Sequence, residues 1–315
     1  MKKLFAPIVF FFLAAASSAA GPAFVRDSIR LDSIGGVSVP AAAEDIRPSP
    51  ARKPALPDAR FFNFYILKAV DFLKANYGLL GYDINSILTH DIVYHTYGTI
   101  PARRAPLTMC VAAQMEVILT AYQIYAAETG DYSVYDYLPK RSFEGLSVND
   151  IKGHIWVNSE FNANGTADAL INFGMGERTV FEKLQPGSFV NINRTTRTGH
   201  AVTFIGFINK TGAIQQQYNA GVVGFKYFSS QGGAAVGEGG FDYRYAVFSK
   251  FGCPDMPYRR DCEVIYSTDQ KMLNTGTMLN PKFWKHQVQS PVSSTLRDTV
   301  FNGKFFDGIT TDDRK

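Results

Sequence analysis

The chain has 315 residues, with 32 basic and 28 acidic side chains and a formal charge of +4. Its basic residues occur in scattered pairs such as Arg103-Arg104 and Arg259-Arg260, which speaks against a nucleic-acid binder and its concentrated basic patch. A hydrophobic fraction of 46%, with 25 Phe and 16 Tyr, is enough for one large domain or two small ones.

Lys2 and Lys3 open the chain, Leu4 to Ala16 is apolar, and Ser17-Ser18-Ala19-Ala20 supplies small residues. This is the pattern of a Sec-type signal peptide over residues 1–20, cleaved after Ala19 or Ala20. It predicts an exported protein, periplasmic or secreted. No later stretch approaches ~18 uninterrupted apolar residues, so no stable membrane span is expected after cleavage. Residues 21–60 carry Pro22, Pro40, Pro48, Pro50, Pro54 and Pro57 among Ala, Ser and charges. Such a stretch buries too little apolar surface to offset its ordering entropy, and it reads as a Pro-rich linker or pro-segment.

Dense globular sequence begins at Phe61. Phe61, Tyr65, Ala69, Phe72 and Leu73 recur at helical spacing, and Tyr77-Gly78 ends the run. The stretch from Tyr82 to Tyr97 fits neither helix nor strand clearly. Pro101 and Pro106 bracket a loop that leads into a second helix at Cys110. Thr108 is placed as its N-cap, Gly130 as its stop, and Val111, Met115, Ile118, Leu119, Tyr122 and Ala126 as its core stripe. Further helices are predicted from Ser147 and over Thr166 to Phe173.

Strands follow. Gly187 to Asn193 alternates, an Arg- and Thr-rich turn spans Arg194 to Gly199, and His200 to Ile208 is a β-branched and aromatic run. Lys210-Thr-Gly212 breaks the chain. Val222 to Ser230 is another strand, and Phe241 to Ser249 one more. The glycine-rich Gln231 to Gly240 lacks a phosphate-loop lysine and reads as a flexible loop beside a site. Residues 266–315 read as a polar C-terminal extension, a surface wrap or tail.

The chain has three cysteines. In an oxidising compartment, Cys253 and Cys262 are expected to pair across a short loop. The alternative is a metal site, for which two cysteines without a second ligand pair are a poor signature. Cys110 is set apart. Its position at a helix N-terminus favours the nucleophilic thiolate, although a cysteine there can also be a small packing hydrophobe. A thiol hydrolase further needs a base and a group that orients it. Of the five histidines, His200 follows Gly199 at the entry to a strongly predicted strand. Gln231, at the end of the next strand, can accept from an imidazole N–H, with Asn219 and Ser230 as competitors. His90 and His95 lack partners at ligand spacing and read as structural, and Gln114, one turn beyond Cys110, reads as lining the same helix face rather than reaching an oxyanion.

The order of helix-start Cys110, Leu184-Gln-Pro-Gly-Ser-Phe-Val and Gly199-His-Ala-Val-Thr-Phe-Ile-Gly resembles the NlpC/P60- and CHAP-type papain-like cysteine peptidases and amidases. The likeness covers Pro106 to Gln231, with Ser188 where those families carry aspartate. It implies an α+β, papain-like fold over residues 61–265, with the nucleophile helix packed on an antiparallel β-sheet and extra helices around it. It also implies a thiol-dependent hydrolase of amide bonds in bacterial cell-wall peptides. Cys110 would be the nucleophile, His200 the base and Gln231 the orienting group, and the substrate peptidoglycan or peptide. No cofactor and no metal are expected. A non-catalytic, exported cell-wall- or partner-binding protein on the same scaffold is the rival expectation.

Overall fold

The structure, a computed structural model, describes residues 60–137 and 164–285. The signal peptide, the Pro-rich linker up to residue 59, the helix expected from Ser147, and residues 286–315 lie outside the described residues.

Helix α1 spans Asn63–Tyr77 and buries Ile66, Ala69, Val70 and Leu73. These lie at i, i+3, i+4 and i+7, one face of a helix. Helix α2 spans Cys110–Thr129. The two pack through aromatic rings, with Phe62 5.4 Å and Tyr65 5.0 Å from Tyr125, both edge-on. The short strands β1 (Ile92–Val93) and β2 (Thr99–Ile100) lie between them in sequence, and α3 (Val134–Tyr137) and α4 (Thr166–Asn172) follow.

The strands are β3 (Gly176–Arg178), β4 (Phe189–Asn193), β5 (Gly199–Ile208), β6 (Ile214–Gln215), β7 (Gly224–Gly232), β8 (Gly239–Phe248), β9 (Arg260–Val264) and β10 (Leu273–Met278). They form one sheet in the order β3-β10-β4-β5-β7-β8-β9, with β6 beside β5. Every pairing is antiparallel except β8 with β9. The class is therefore α+β, with a large, mainly antiparallel sheet.

Strand alternation sorts the side chains onto two faces. Ala201 and Thr203 of β5 face α2. The Thr203 hydroxyl donates to Gln114 Oε1 at 2.7 Å, and Gln114 Nε2 donates to the Ala201 carbonyl at 3.3 Å. Phe189, Phe228 and Phe241 join the same core as α1 and α2. Val190, Ile192, Val202, Phe204, Phe225, Tyr227, Ala246 and Phe248 build a second core on the opposite face. The sheet curls round this second core. Arg194, just past β4, bridges Val264 of β9. The Thr195 N–H reaches the Glu263 carbonyl at 2.9 Å, and the Ile265 N–H reaches the Asn193 carbonyl at 2.9 Å. Strands β4, β5, β7, β8 and β9 thus form a closed ring at one end. Phe181 plugs it, edge-on to Phe207 at 5.4 Å and Phe248 at 5.1 Å.

Four expectations change. First, the α2 cap is Met109, which has no side-chain oxygen to offer, rather than Thr108. Helical geometry starts at Cys110, so Thr108 lies one residue too early. Its carbonyl instead accepts from Ser230 Oγ at 3.1 Å. Second, α2 is buried almost all round and not along one stripe: Ala112, Ala113, Gln114, Glu116 and Val117 are buried too. It lies between the sheet on one side and α1 with the loop 78–109 on the other. Third, β10 falls within 266–315, yet it is an inner strand with all six residues buried. Its Leu-Asn-Thr-Gly-Thr-Met sequence has no apolar run to reveal this. Its polar groups are met by partners distant in sequence, such as Ser188 Oγ on Thr277 Oγ1 at 2.8 Å. Fourth, the glycine-rich 231–240 is a tight β7–β8 connection, hydrogen-bonded to the chain at 79–82.

Glu116 fastens the loop to α2. Its buried carboxylate accepts the Thr89 N–H at 3.0 Å and the Thr89 hydroxyl, and lies 3.1 Å from His90 Nδ1. The His90 ring stacks on Tyr77 at 3.9 Å. Both His90 and His95, the latter 4.6 Å from the Tyr132 ring, sit in packing roles.

Glu116→Ala strands the Thr89 donors in a dry site and should destabilise the protein by about 1–3 kcal/mol, read as a lowered midpoint in urea. Phe181→Ala should cost about 3–5 kcal/mol by opening a cavity in the ring, on the same measurement.

Candidate functional site

Cys110 is the first residue of α2 and is 1% exposed. Two segments hold Thr108, two residues before it. Tyr82 bridges Thr108, and the Ser230 hydroxyl binds the Thr108 carbonyl. The Gly81 N–H donates to the Gly239 carbonyl at 2.8 Å and the Tyr82 N–H to the Gly233 carbonyl at 2.9 Å. The fit is tight at Gly81, whose φ is +108°. A Cβ there would lie 2.3 Å from the Ala234 carbonyl oxygen and 2.4 Å from Leu107 Cδ2, so only glycine serves. A thiol this enclosed offers a substrate carbonyl no approach in this structure.

His200 is the second residue of β5 and is fully buried. It alternates with Ala201, so its ring shares the face of Val202 and Phe204. There it lies edge-on to Tyr227, 5.7 Å between centroids. Gln231, near the end of β7, reaches the same tyrosine. The Tyr227 hydroxyl donates to Gln231 Oε1 at 3.1 Å and accepts from Nε2 at 3.0 Å. The structure therefore gathers His200 and Gln231 round Tyr227, inside the ring of strands. Cys110 belongs to the core on the helix side of the sheet. All three lie at one end of the sheet, since β5 begins and β7 finishes where α2 begins. Of the competitors, Ser230 holds the Thr108 carbonyl, and Asn219 sits in an exposed turn bound to the Gly221 N–H. Gln114 is tied to β5 through Thr203 and the Ala201 carbonyl.

The inner face changes character along its length. One end is aromatic. The other holds Arg194, His200, Tyr227, Gln231 and Arg244, all buried. Arg194 Nε donates to Asp261 Oδ2, and its Nη1 donates to Thr198 Oγ1 at 3.1 Å. Arg244 Nη2 donates to the Gln231 carbonyl at 3.4 Å. Burial pushes the Tyr227 phenol up to about 12, and the nearby Asp261 charge acts in the same direction against Arg194, Arg244 and Gln231. Burial lowers the Arg244 pKa, a desolvation cost on its charge. Arg194, Tyr227, Gln231, Arg244 and Asp261 line a cavity of about 170 Å³. Among the described residues, no group of three or more His, Cys, Asp or Glu is placed to hold a metal ion.

Sequence reasoning missed Tyr227, Arg194, Arg244 and Asp261 as a group. One signal was available. In Phe241-Asp-Tyr-Arg-Tyr-Ala-Val-Phe248, Arg244 shares its parity with Ala246 and Phe248, so an arginine occupies an inward position of a strand. The others come together only when β9 closes on β4. The expected disulfide is present, joining Cys253 to Cys262 with Cα atoms 5.2 Å apart. It ties β9 to the loop after β8.

Compared with family models, curated proteins and solved structures, the chain matches none. Among the described residues no helix is long and apolar enough to cross a membrane.

Tyr227 gives a pH dependence of known sign. An unfolded tyrosine ionises near ~10, whereas Tyr227 holds its proton to about 12. Its contribution to stability is complete below pH ~10 and is lost as the pH rises towards 12, because unfolding releases a proton. Urea midpoints should fall through that window in step with phenolate absorbance, with a shallower fall in Tyr227→Phe. Replacing Cys253 and Cys262 together by serine should cost about 2–3 kcal/mol, the loop-closure value for a nine-residue separation, read by thermal unfolding.

Proposed function

We propose that this chain is an exported thiol hydrolase of amide bonds in bacterial cell-wall peptides, built on a papain-like scaffold. The observation that supports it is the convergence of three chain positions. The start of α2, the start of β5 and the end of β7 meet at one end of the sheet, and they carry Cys110, His200 and Gln231. The chain order is the one that the likeness to NlpC/P60- and CHAP-type enzymes implies. Cys110 and His200 are both buried, with the His200 ring inside the strand ring, so the reaction requires a rearrangement that brings the ring to the thiol.

Once rearranged, Cys110 Sγ attacks the carbonyl carbon after His200 takes its proton. The C–N bond breaks and the proton passes to the leaving amine, which leaves a thioester. Water then attacks that thioester, giving the acid and the restored thiol. Gln231 holds the imidazole by accepting its N–H.

A second reading has its own observation in support. The sheet stands between the core that holds Cys110 and the face that holds the His200 ring. A non-catalytic exported cell-wall- or partner-binding protein would need no more than that.

One experiment separates them. The mature protein is incubated with purified peptidoglycan beside Cys110→Ala and Cys110→Ser, and released peptides and free amines are identified by mass. The hydrolase predicts release by the wild type and none by either folded variant, together with iodoacetamide labelling of Cys110 near pH 7. No release and an inert thiol would leave the binding protein.

A further inference from the structure

Away from the polar end of the strand ring, the start of α1, the turn at Phe181–Lys183 and the chain after β6 border a groove of about 900 Å³. The segment that follows the turn is seated against α1 at Gly187, whose φ is +91°. A Cβ there would lie 2.9 Å from Asn63 Cβ, so glycine permits the approach. Two kinds of side chain line the groove. Phe64 and Tyr218 are rings left 44% and 36% exposed. Asn63, Gln185, Gln216 and Gln217 are carboxamides, and none of the four side-chain amides has a hydrogen-bond partner among the described residues. Asn63 is only 7% exposed, so its amide is a buried donor and acceptor still to be satisfied. Charge is balanced. Glu182 and Lys183 are neighbours of opposite sign, and Glu182 accepts from the Tyr266 hydroxyl.

We propose that this groove binds a neutral oligosaccharide. A sugar hydroxyl both donates and accepts, and so does a carboxamide. The rings supply the complementary apolar contact, because the C–H face of a sugar lies well on the negative face of an aromatic ring. A charged ligand would call for an excess of one sign, which the lining lacks. An extended peptide would pair with a strand edge, and the strand that leads into the groove, β6, has two residues.

The groove goes beyond the proposed hydrolase and uses none of its groups. Phe207, which also lines it, is seven residues along β5 from His200, roughly 23 Å at ~3.3 Å per residue. Sugar binding is read without turnover, so failure of one reading leaves the other standing. The mature chain is titrated by calorimetry with chitotetraose, cellotetraose and maltotetraose, beside a proline decamer as the peptide probe. Phe64→Ala and the double variant Gln216→Ala, Gln217→Ala are titrated next. All three positions are exposed, so both variants should fold, which thermal unfolding checks, and either one carries the test alone. Saturable binding of at least one tetrasaccharide, weakened at least about tenfold in each folded variant, is the expected result. No saturable binding of any tetrasaccharide would overturn the proposal. So would unchanged affinity in a folded variant, or tighter binding of the proline decamer than of every sugar.

Discussion

The structure depends on burying α2 on nearly every side. A helix with an apolar stripe needs one partner surface, but this one has two, and both contacts include a buried polar group that must be satisfied. Gln114 meets β5 through Thr203 and the Ala201 carbonyl. Glu116 meets the Thr89 N–H and hydroxyl on the other side. Each bond fixes a neighbour as well as the helix. The sheet is held at one register against α2, and the 78–109 loop is held as a second wall. The start of α2 is held to Tyr82 and Ser230 through Thr108. The seclusion of Cys110 follows from this packing.

The other face of the sheet obeys a different constraint. Closing β9 onto β4 creates an interior, and the interior is apolar only where Phe181, Phe204, Phe225 and Phe248 reach. Beyond them the strands contribute two arginines, a tyrosine, a glutamine and a histidine. Buried charge is tolerated when it is paired, and the Arg194–Asp261 ion pair sits at the closure itself. The disulfide fastens β9 from its outer side. Closure, ion pair and disulfide therefore act on one strand, and the cavity exists because that strand returns. The histidine and glutamine that a thiol mechanism would use are part of this polar interior.

Much of this was legible in the sequence, and the reasons are local. α1 and α2 show helical spacing, Gly130 adopts the left-handed cap expected of it, and β4, β5, β7 and β8 carry alternation or β-branched runs. The pairing of Cys253 with Cys262 was expected from their proximity in a chain whose opening reads as an export signal. Strands β9 and β10 were missed because Arg-Asp-Cys-Glu-Val and Leu-Asn-Thr-Gly-Thr-Met have no apolar run. Their strand character comes from neighbours far along the chain. For β10 those neighbours are β3 and β4, about 80 to 100 residues earlier in the chain and well beyond any local window.

By itself the sequence determined the elements whose signals lie within a few turns of the chain, and the three positions, Cys110, His200 and Gln231, that the tertiary fold carries to one end of the sheet. Only the tertiary structure decided which face each side chain occupies. A strand's alternation defines two sets of residues without saying which set meets the helix. That assignment put Ala201 against α2 and the His200 ring beside Tyr227. It also brought Arg194, Arg244 and Asp261 round one cavity, because ring closure unites residues that no sequence window contains.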